Sequence, residues 1–180
     1  MKKYYVVLFL ILFSTNAPAT VKENIIQNLK DIKNISFDFE QNINGKIENG
    51  KCIVQYPKKI NCVYNSKNKK ILVSNGRSLV IKTQNSYYRY SLKKTPLNLI
   101  LNKEFLLNKI RAKNGREIDN KFINYKFLED ENEINIFFDK KTFNLIGWQT
   151  LDVFQNLSIT HLNSIIINKE LKNDLFKLPS

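Results

Sequence analysis

Histidine occurs once in this 180-residue chain, at His161, and cysteine only twice, at Cys52 and Cys62. Those two shortages remove most metal and nucleophile chemistry. There is no C-x-x-C, and a spacing of ten fits neither a zinc site nor a redox pair. His161 sits inside the apolar run ITHLNSIII, with no serine or cysteine placed by motif as its nucleophile, so it reads as structural or surface. The acidic run Glu129, Asp130, Glu131 and Glu133 lacks the glycine-centred pattern of a calcium loop and reads as a solvated connection. Asp38 and Glu40 alternate with phenylalanines, which puts them on a wet strand face rather than in a glycosidase pair. Ser74-Asn75-Gly76 is a turn, not a nucleophile elbow. The expectation is a protein that is not an enzyme, with no metal and no cofactor.

Long apolar runs are missing as well. The most hydrophobic stretch, Tyr4–Phe13, falls short of the about 20 residues that a bilayer span requires. It follows Lys2 and Lys3 and precedes Ala17-Pro18-Ala19, the layout of a signal peptide over residues 1–19 that is removed to leave an exported chain starting at Thr20. No cysteine follows the apolar run, which argues against a lipid-modified N-terminus. Acidic residues are outnumbered, 16 against 29 Lys and Arg, giving a formal charge of +13. Export and the scatter of the lysines argue against nucleic acid, and leave steering toward anionic membrane surfaces or acidic partner proteins. Repeats, low-complexity segments and interdomain linkers are absent, so residues 20–180 read as one domain.

What is present is mostly strand. Phe37 and Phe39 alternate with Asp38 and Glu40. Lys51–Tyr56 and Ile60–Tyr64 flank Pro57-Lys58-Lys59 as an antiparallel hairpin. Directly opposed positions on that hairpin meet the short Cα separation of a disulfide, and the register decides whether Cys52 and Cys62 bond or stay as two buried thiols. Upstream, Val21, Ile25, Ile26, Leu29 and Ile32 repeat at helical spacing over Val21–Lys33, with Thr20 and Glu23 as a capping box. Downstream, strands are expected at Lys70–Val73, Ser78–Lys82 and Tyr87–Leu92. Leu97–Ile110 reads as a helical turn and then a helix of about ten residues from Asn102, rich enough in apolar residues to be a lid or a core helix. Further strands follow at Asn124–Glu129, Glu133–Asp139, Phe143–Trp148, Gln149–Phe154 and Ile159–Ile167, with a weakly alternating tail, Leu171–Leu178. The fold class is mainly β: a large antiparallel sheet that must curl, with two helical pieces too small to fill a wide concavity.

Taken in order, these landmarks resemble those of the periplasmic outer-membrane lipoprotein carrier family, LolA. They are the exported N-terminus, the amphipathic helix, SFDFEQNINGKIENGK with its F-x-Q and glycines, Y-P-K-K-I, ILVSNGRSLVI, TPLNLIL, FDKKTFNLIGWQTLD, and SIIINKELKNDLFKLP with its final F-x-x-P. The resemblance implies an incompletely closed antiparallel β-barrel with the N-terminal helix and a central helical lid. It implies a monomeric periplasmic carrier that shields lipoprotein acyl chains in a hydrophobic cavity. The partners it implies are acylated outer-membrane lipoproteins, an inner-membrane ABC-type release complex and an outer-membrane receptor. Cavity and lid residues are then expected at Ile25, Leu29, Phe37, Phe39, Leu99, Ile100, Phe105 and Leu106, although alternation does not say which sheet face is the cavity. Family members often carry an arginine just before the hairpin proline; here that position is Tyr56, with Lys58 nearby, and a tyrosine there either hydrogen-bonds a lid carbonyl or only packs. The alternative is a periplasmic lipid- or lipopeptide-binding protein of the same fold, acting in sensing or in transport of another lipid.

Overall fold

The computed structural model describes residues 19–129, 132–152 and 154–180; the expected signal peptide lies almost wholly outside them. The first helix, α1 (Val21–Asp31), starts where its sequence says it should. The Glu23 amide donates to Thr20 Oγ1 at 3.3 Å, and the Thr20 amide to Glu23 Oε2 at 2.7 Å, so two otherwise orphaned donors are satisfied reciprocally. It ends short of the expected Lys33 because Ile32 turns to extended backbone and drops into the core.

Among the described residues eleven strands follow: β1 (Asn34–Ile43), β2 (Lys46–Gln55), β3 (Lys59–Tyr64), β4 (Ile71–Asn75), β5 (Ser78–Lys82), β6 (Tyr87–Ser91), β7 (Arg116–Ile118), β8 (Phe122–Glu129), β9 (Asn132–Asp139), β10 (Leu145–Leu151) and β11 (Leu157–Ile167). They form one antiparallel sheet in the order β6-β5-β4-β3-β2-β1-β11-β10-β9-β8-β7, with β6 and β7 as unjoined edges, so the barrel stays open. Two meanders, one from each end of the chain, are zipped together by the pairing of β1 with β11. The linker between them is helical: a 3-10 turn at Leu92–Lys94, α2 (Leu97–Ile100) and α3 (Lys103–Ala112), the last capped by Asn102 Oδ1 accepting from the Phe105 amide.

Three segments differ from what their sequence suggests. The strands expected at Phe143–Trp148 and Gln149–Phe154 are replaced by one, β10 (Leu145–Leu151), because Gly147 continues the ladder instead of turning it; a Cβ there would lie 2.6 Å from the Thr160 carbonyl oxygen. The short strand β7 is polar and exposed, with no apolar alternation to announce it. Leu171–Leu178 forms no strand; it lies across the outside of the sheet, where Asn61 Nδ2 donates to the Leu175 carbonyl at 2.6 Å.

The core lies on the concave face. Helices α1 and α3 pack together there, and Ile25, Leu29, Leu106, Leu107 and Ile110 join Tyr125, Phe127 and Phe138 in a single buried cluster. Phe105 meets Phe127 edge-on at 6.3 Å, and Lys109 pairs with Glu129 at 2.6 Å, so α3 lies toward the β8 side of the curl. On α1, Asn28 Nδ2 donates to Asn144 Oδ1 at 2.9 Å, next to the β9–β10 turn.

Candidate functional site

With both helices committed to that half, the concavity over β2 to β5 is left partly uncovered. Strand register shows what lines it. Cys52, Cys62, Leu72, Ile81 and Tyr88 face one another in sequence across β2, β3, β4, β5 and β6, and all five point into the same open cavity. Two further rows close its other side: Trp148, Thr160, Gln41 and Glu48, then Thr150, Ser158, Ile43 and Lys46, both crossing β10, β11, β1 and β2. The cavity has a volume of about 320 Å³. Thr95, Pro96 and Leu97, at the entrance to α2, form its edge nearest the helices.

A disulfide forms part of the floor: Cys52 and Cys62 are bonded, with Cα atoms 4.1 Å apart, as directly opposed residues of β2 and β3. Beside it, Phe39 and Tyr64 stack edge-on at 4.9 Å over Gly50, their common neighbour on β2. Only glycine fits there, since a Cβ would stand 2.2 Å from the Val63 carbonyl oxygen and 2.9 Å from the Phe39 ring. The missing side chain is what lets the two aromatic rings meet across that strand.

At one margin of the cavity the walls turn polar. Lys70 pairs with Glu48, Lys46 reaches the same carboxylate at 3.2 Å, and the Lys70 ammonium lies 4.1 Å from the centre of the Tyr64 ring. Burial pushes the Glu48 carboxyl up, but the hydrogen bonds and charges of Lys70 and Lys46 outweigh it and hold the group below its ordinary value. Burial and then the Glu48 charge push the Tyr64 phenol well above its ordinary range, so it stays a neutral donor. Its hydroxyl donates to Gln41 Oε1 at 3.4 Å, and Gln41 Nε2 donates to Ser158 Oγ at 2.8 Å and Thr160 Oγ1 at 3.2 Å. At the mouth the lining includes Tyr88 and Phe154, both large and exposed.

Residues 30–179 match the family model described as outer membrane lipoprotein carrier protein LolA. The chain belongs to the LolA family. Its members are periplasmic binding and carrier proteins, and among the described residues no helix is long and apolar enough to cross a membrane. No curated protein matches the sequence. Among solved structures, an uncharacterized conserved protein of Thermus thermophilus superposes with a TM-score of 0.52 at 5% identity, covering 88% of this chain and 92% of that one, which shows the shared fold. A LolA superfamily protein of Nitrosomonas europaea gives 0.46 at 8% identity (89% and 99% covered). The Mycobacterium tuberculosis lipoprotein LppX gives 0.46 at 13% (86% and 98% covered).

Within this LolA fold, the residues expected to line the cavity or lid divide unevenly. Phe39 lines the open cavity. Ile25, Leu29, Ile100 and Leu106 are buried in the packed core under α1, α2 and α3, with Leu99 and Phe105 half-buried against it. Phe37, the register partner of Cys52, is on the same concave face but buried in the core, edge-on to Trp148 at 6.1 Å. Tyr56 packs against the core with the Lys103 ammonium 5.8 Å from its ring centre, and burial pushes its phenol well above the ordinary range. The lid carbonyl is instead met by Lys58, whose backbone N–H donates to the Leu101 oxygen at 3.0 Å. The lining residues not expected from sequence, such as Leu72, Ile81, Thr150 and Thr160, come from strands whose pairing alone assembles the rows. Among the described residues no three His, Cys, Asp or Glu side chains gather as a metal site.

Proposed function

We propose that this protein is a periplasmic carrier that shields lipoprotein acyl chains, taking them from an inner-membrane ABC-type release complex and delivering them toward an outer-membrane receptor. The observation behind this reading is the open, largely apolar cavity of about 320 Å³ on a sheet whose helices cover only its other half. That volume stands at the lower end of the roughly 300–1,000 Å³ typical of small-molecule sites. Burying a dozen methylenes is worth about 10 kcal/mol, at about 0.8 kcal/mol each, so even a modest dry cavity offsets much of the cost of holding a chain out of its membrane.

In this reading the protein works as a monomer and the helices are the gate. A cargo with several chains needs more room than the cavity in this state. Swinging α1 and α3 away would add Ile25, Leu29, Phe37, Leu99, Ile100, Phe105 and Leu106 to the lining around Phe39. The polar pins such a motion must break are the Lys109–Glu129 pair at 2.6 Å, the Asn28–Asn144 bond at 2.9 Å and the bond from Asn168 Nδ2 to the Asp31 carbonyl at 2.9 Å. The Lys103 ammonium donates to the carbonyls of Lys30 and Ile32 at 2.9 and 3.0 Å and ties α3 to the end of α1, and the Lys58 amide holds the Leu101 carbonyl from the hairpin. Tyr56 stands at the position where other members often carry an arginine and packs against the core, so the contact from the hairpin to Leu101 is made by the Lys58 backbone and not by a side chain at that position. A partner that binds the open arrangement better would shift the population toward it.

Purification from the periplasm, followed by mass spectrometry of what co-elutes, tests the proposal. Triacylated lipoprotein is the expected cargo. Phospholipid alone would favour a lipid-binding protein of the same fold with another role, and a lipid-free preparation that takes up neither would refute both.

A further inference from the structure

The cavity has a polar wall that an alkane chain does not need. Thr150, Ser158 and Thr160 lie on the neighbouring strands β10 and β11, each more than nine-tenths buried and each lining the cavity. Thr150 and Ser158 are register partners, and Thr160 pairs with Gln41 on β1. The Gln41 amide donates to both Ser158 and Thr160, so those oxygens are occupied as acceptors while their protons have no acceptor among the described residues. Thr150 Oγ1 has no hydrogen-bond partner of either kind among the described residues. One wall thus carries a buried hydroxyl with no partner among the described residues, Thr150, beside two that only accept, and the arrangement is costly at Thr150 unless something arrives to accept its proton.

Resting on the carrier reading, we propose that Thr150, Ser158 and Thr160 form a subsite for the carbonyl groups that join acyl chains to their carrier molecule. The charged groups around the cavity favour a neutral acceptor. Glu48 is compensated by Lys46 and Lys70. Asp152 already accepts from the amides of Phe154 at 2.7 Å and Asn156 at 2.9 Å. The apolar row from Cys52 to Tyr88 then takes the hydrocarbon, while the hydroxyl wall takes the ester or amide at its head and sets how deep the chain can slide. Both linkages present the same carbonyl oxygen, so the chemistry is shared between an O-acyl glyceride and an N-acyl terminus.

The test is competition against a bound fluorescent fatty acid, using the full mature protein and three probes of equal chain length: dioctanoyl glycerol, its dioctyl ether, and N-octyl octanamide. The ester is expected to compete about three- to tenfold better than the ether. Thr150→Val, which keeps the shape and removes the hydroxyl, should erase most of that preference, read as the ratio of ester to ether competition in the same variant; Thr150→Ser should restore it. A matching preference for the octanamide assigns the subsite to any acyl carbonyl, and its absence assigns it to esters. Equal binding of ester and ether by the unaltered protein, or an undiminished preference in Thr150→Val, would mean that the hydroxyls hold only water and would overturn the subsite while leaving the carrier reading intact. No binding of any probe would remove both.

Discussion

Reducing the Cys52–Cys62 bond perturbs the floor of the cavity without changing a residue, and its cost follows from the topology. The bond closes a loop of ten residues, and in the chain-entropy treatment this removes about 9 cal/mol/K from the unfolded ensemble, or about 2.7 kcal/mol at 25 °C. The native-state contribution is expected to be small. Both sulfurs are buried in apolar surroundings, where free thiols sit comfortably, and the extra space that two unbonded sulfurs need lies next to them in the cavity they line. For a domain of this size that stability change corresponds to a fall in Tm of about 5–11 °C. The assay is urea unfolding of the oxidised protein against protein reduced in denaturant and refolded with reductant present. A difference below about 1 kcal/mol would show that the hairpin is already ordered in the unfolded chain, and the loop-entropy reasoning would fail.

Three other substitutions probe separate parts of the design. Ile81→Trp, on the apolar row and half-buried, should fill the cavity and abolish retention of acyl cargo in the periplasmic preparation with Tm changed by no more than a few degrees; retained cargo would place the binding surface elsewhere. Gly50→Ala should destabilise by about 2–4 kcal/mol, because the added methyl meets the Val63 backbone and not a movable side-chain tip, and a change under about 1 kcal/mol in chemical denaturation would contradict the packing described. Glu48 is held below its ordinary value of 4.5, so its pairing with Lys70 and Lys46 stabilises the fold above that pH and the contribution is lost as pH falls through the lower folded value. Glu48→Gln should therefore flatten the loss of stability below about pH 4.5 in unfolding scans, and an unaltered acid limb would exclude Glu48 as its source.

Much of the fold could be read from local pattern. Period-two alternation marks Phe37 and Phe39 as one face and Asp38 and Glu40 as the other, and β1 is built that way. The Thr20 and Glu23 capping pair marks the start of α1 because its chemistry spans only three residues. The opposed cysteines become partners once a hairpin around Pro57 is assumed, since β2 and β3 are adjacent in the chain. The ordered motifs pointed to the family through the same local segments.

The site itself was decided at long range. The pairing of β1 with β11 joins strands from opposite ends of the chain, and it sets Gln41 beside Thr160 and so assembles the hydroxyl wall. Alternation tells that Ile25 and Leu29, or Phe37 and Phe39, share a face, but it is blind to whether another element covers that face. That depends on where α1 and α3 come to rest, and they settle toward β8, which turns most of the expected cavity residues into core and leaves Leu72, Ile81 and Tyr88 facing open space. Local sequence specifies which residues seek burial; only the docking of the helices, a contest among all the apolar surfaces of the chain, determines which of them go without a covering partner.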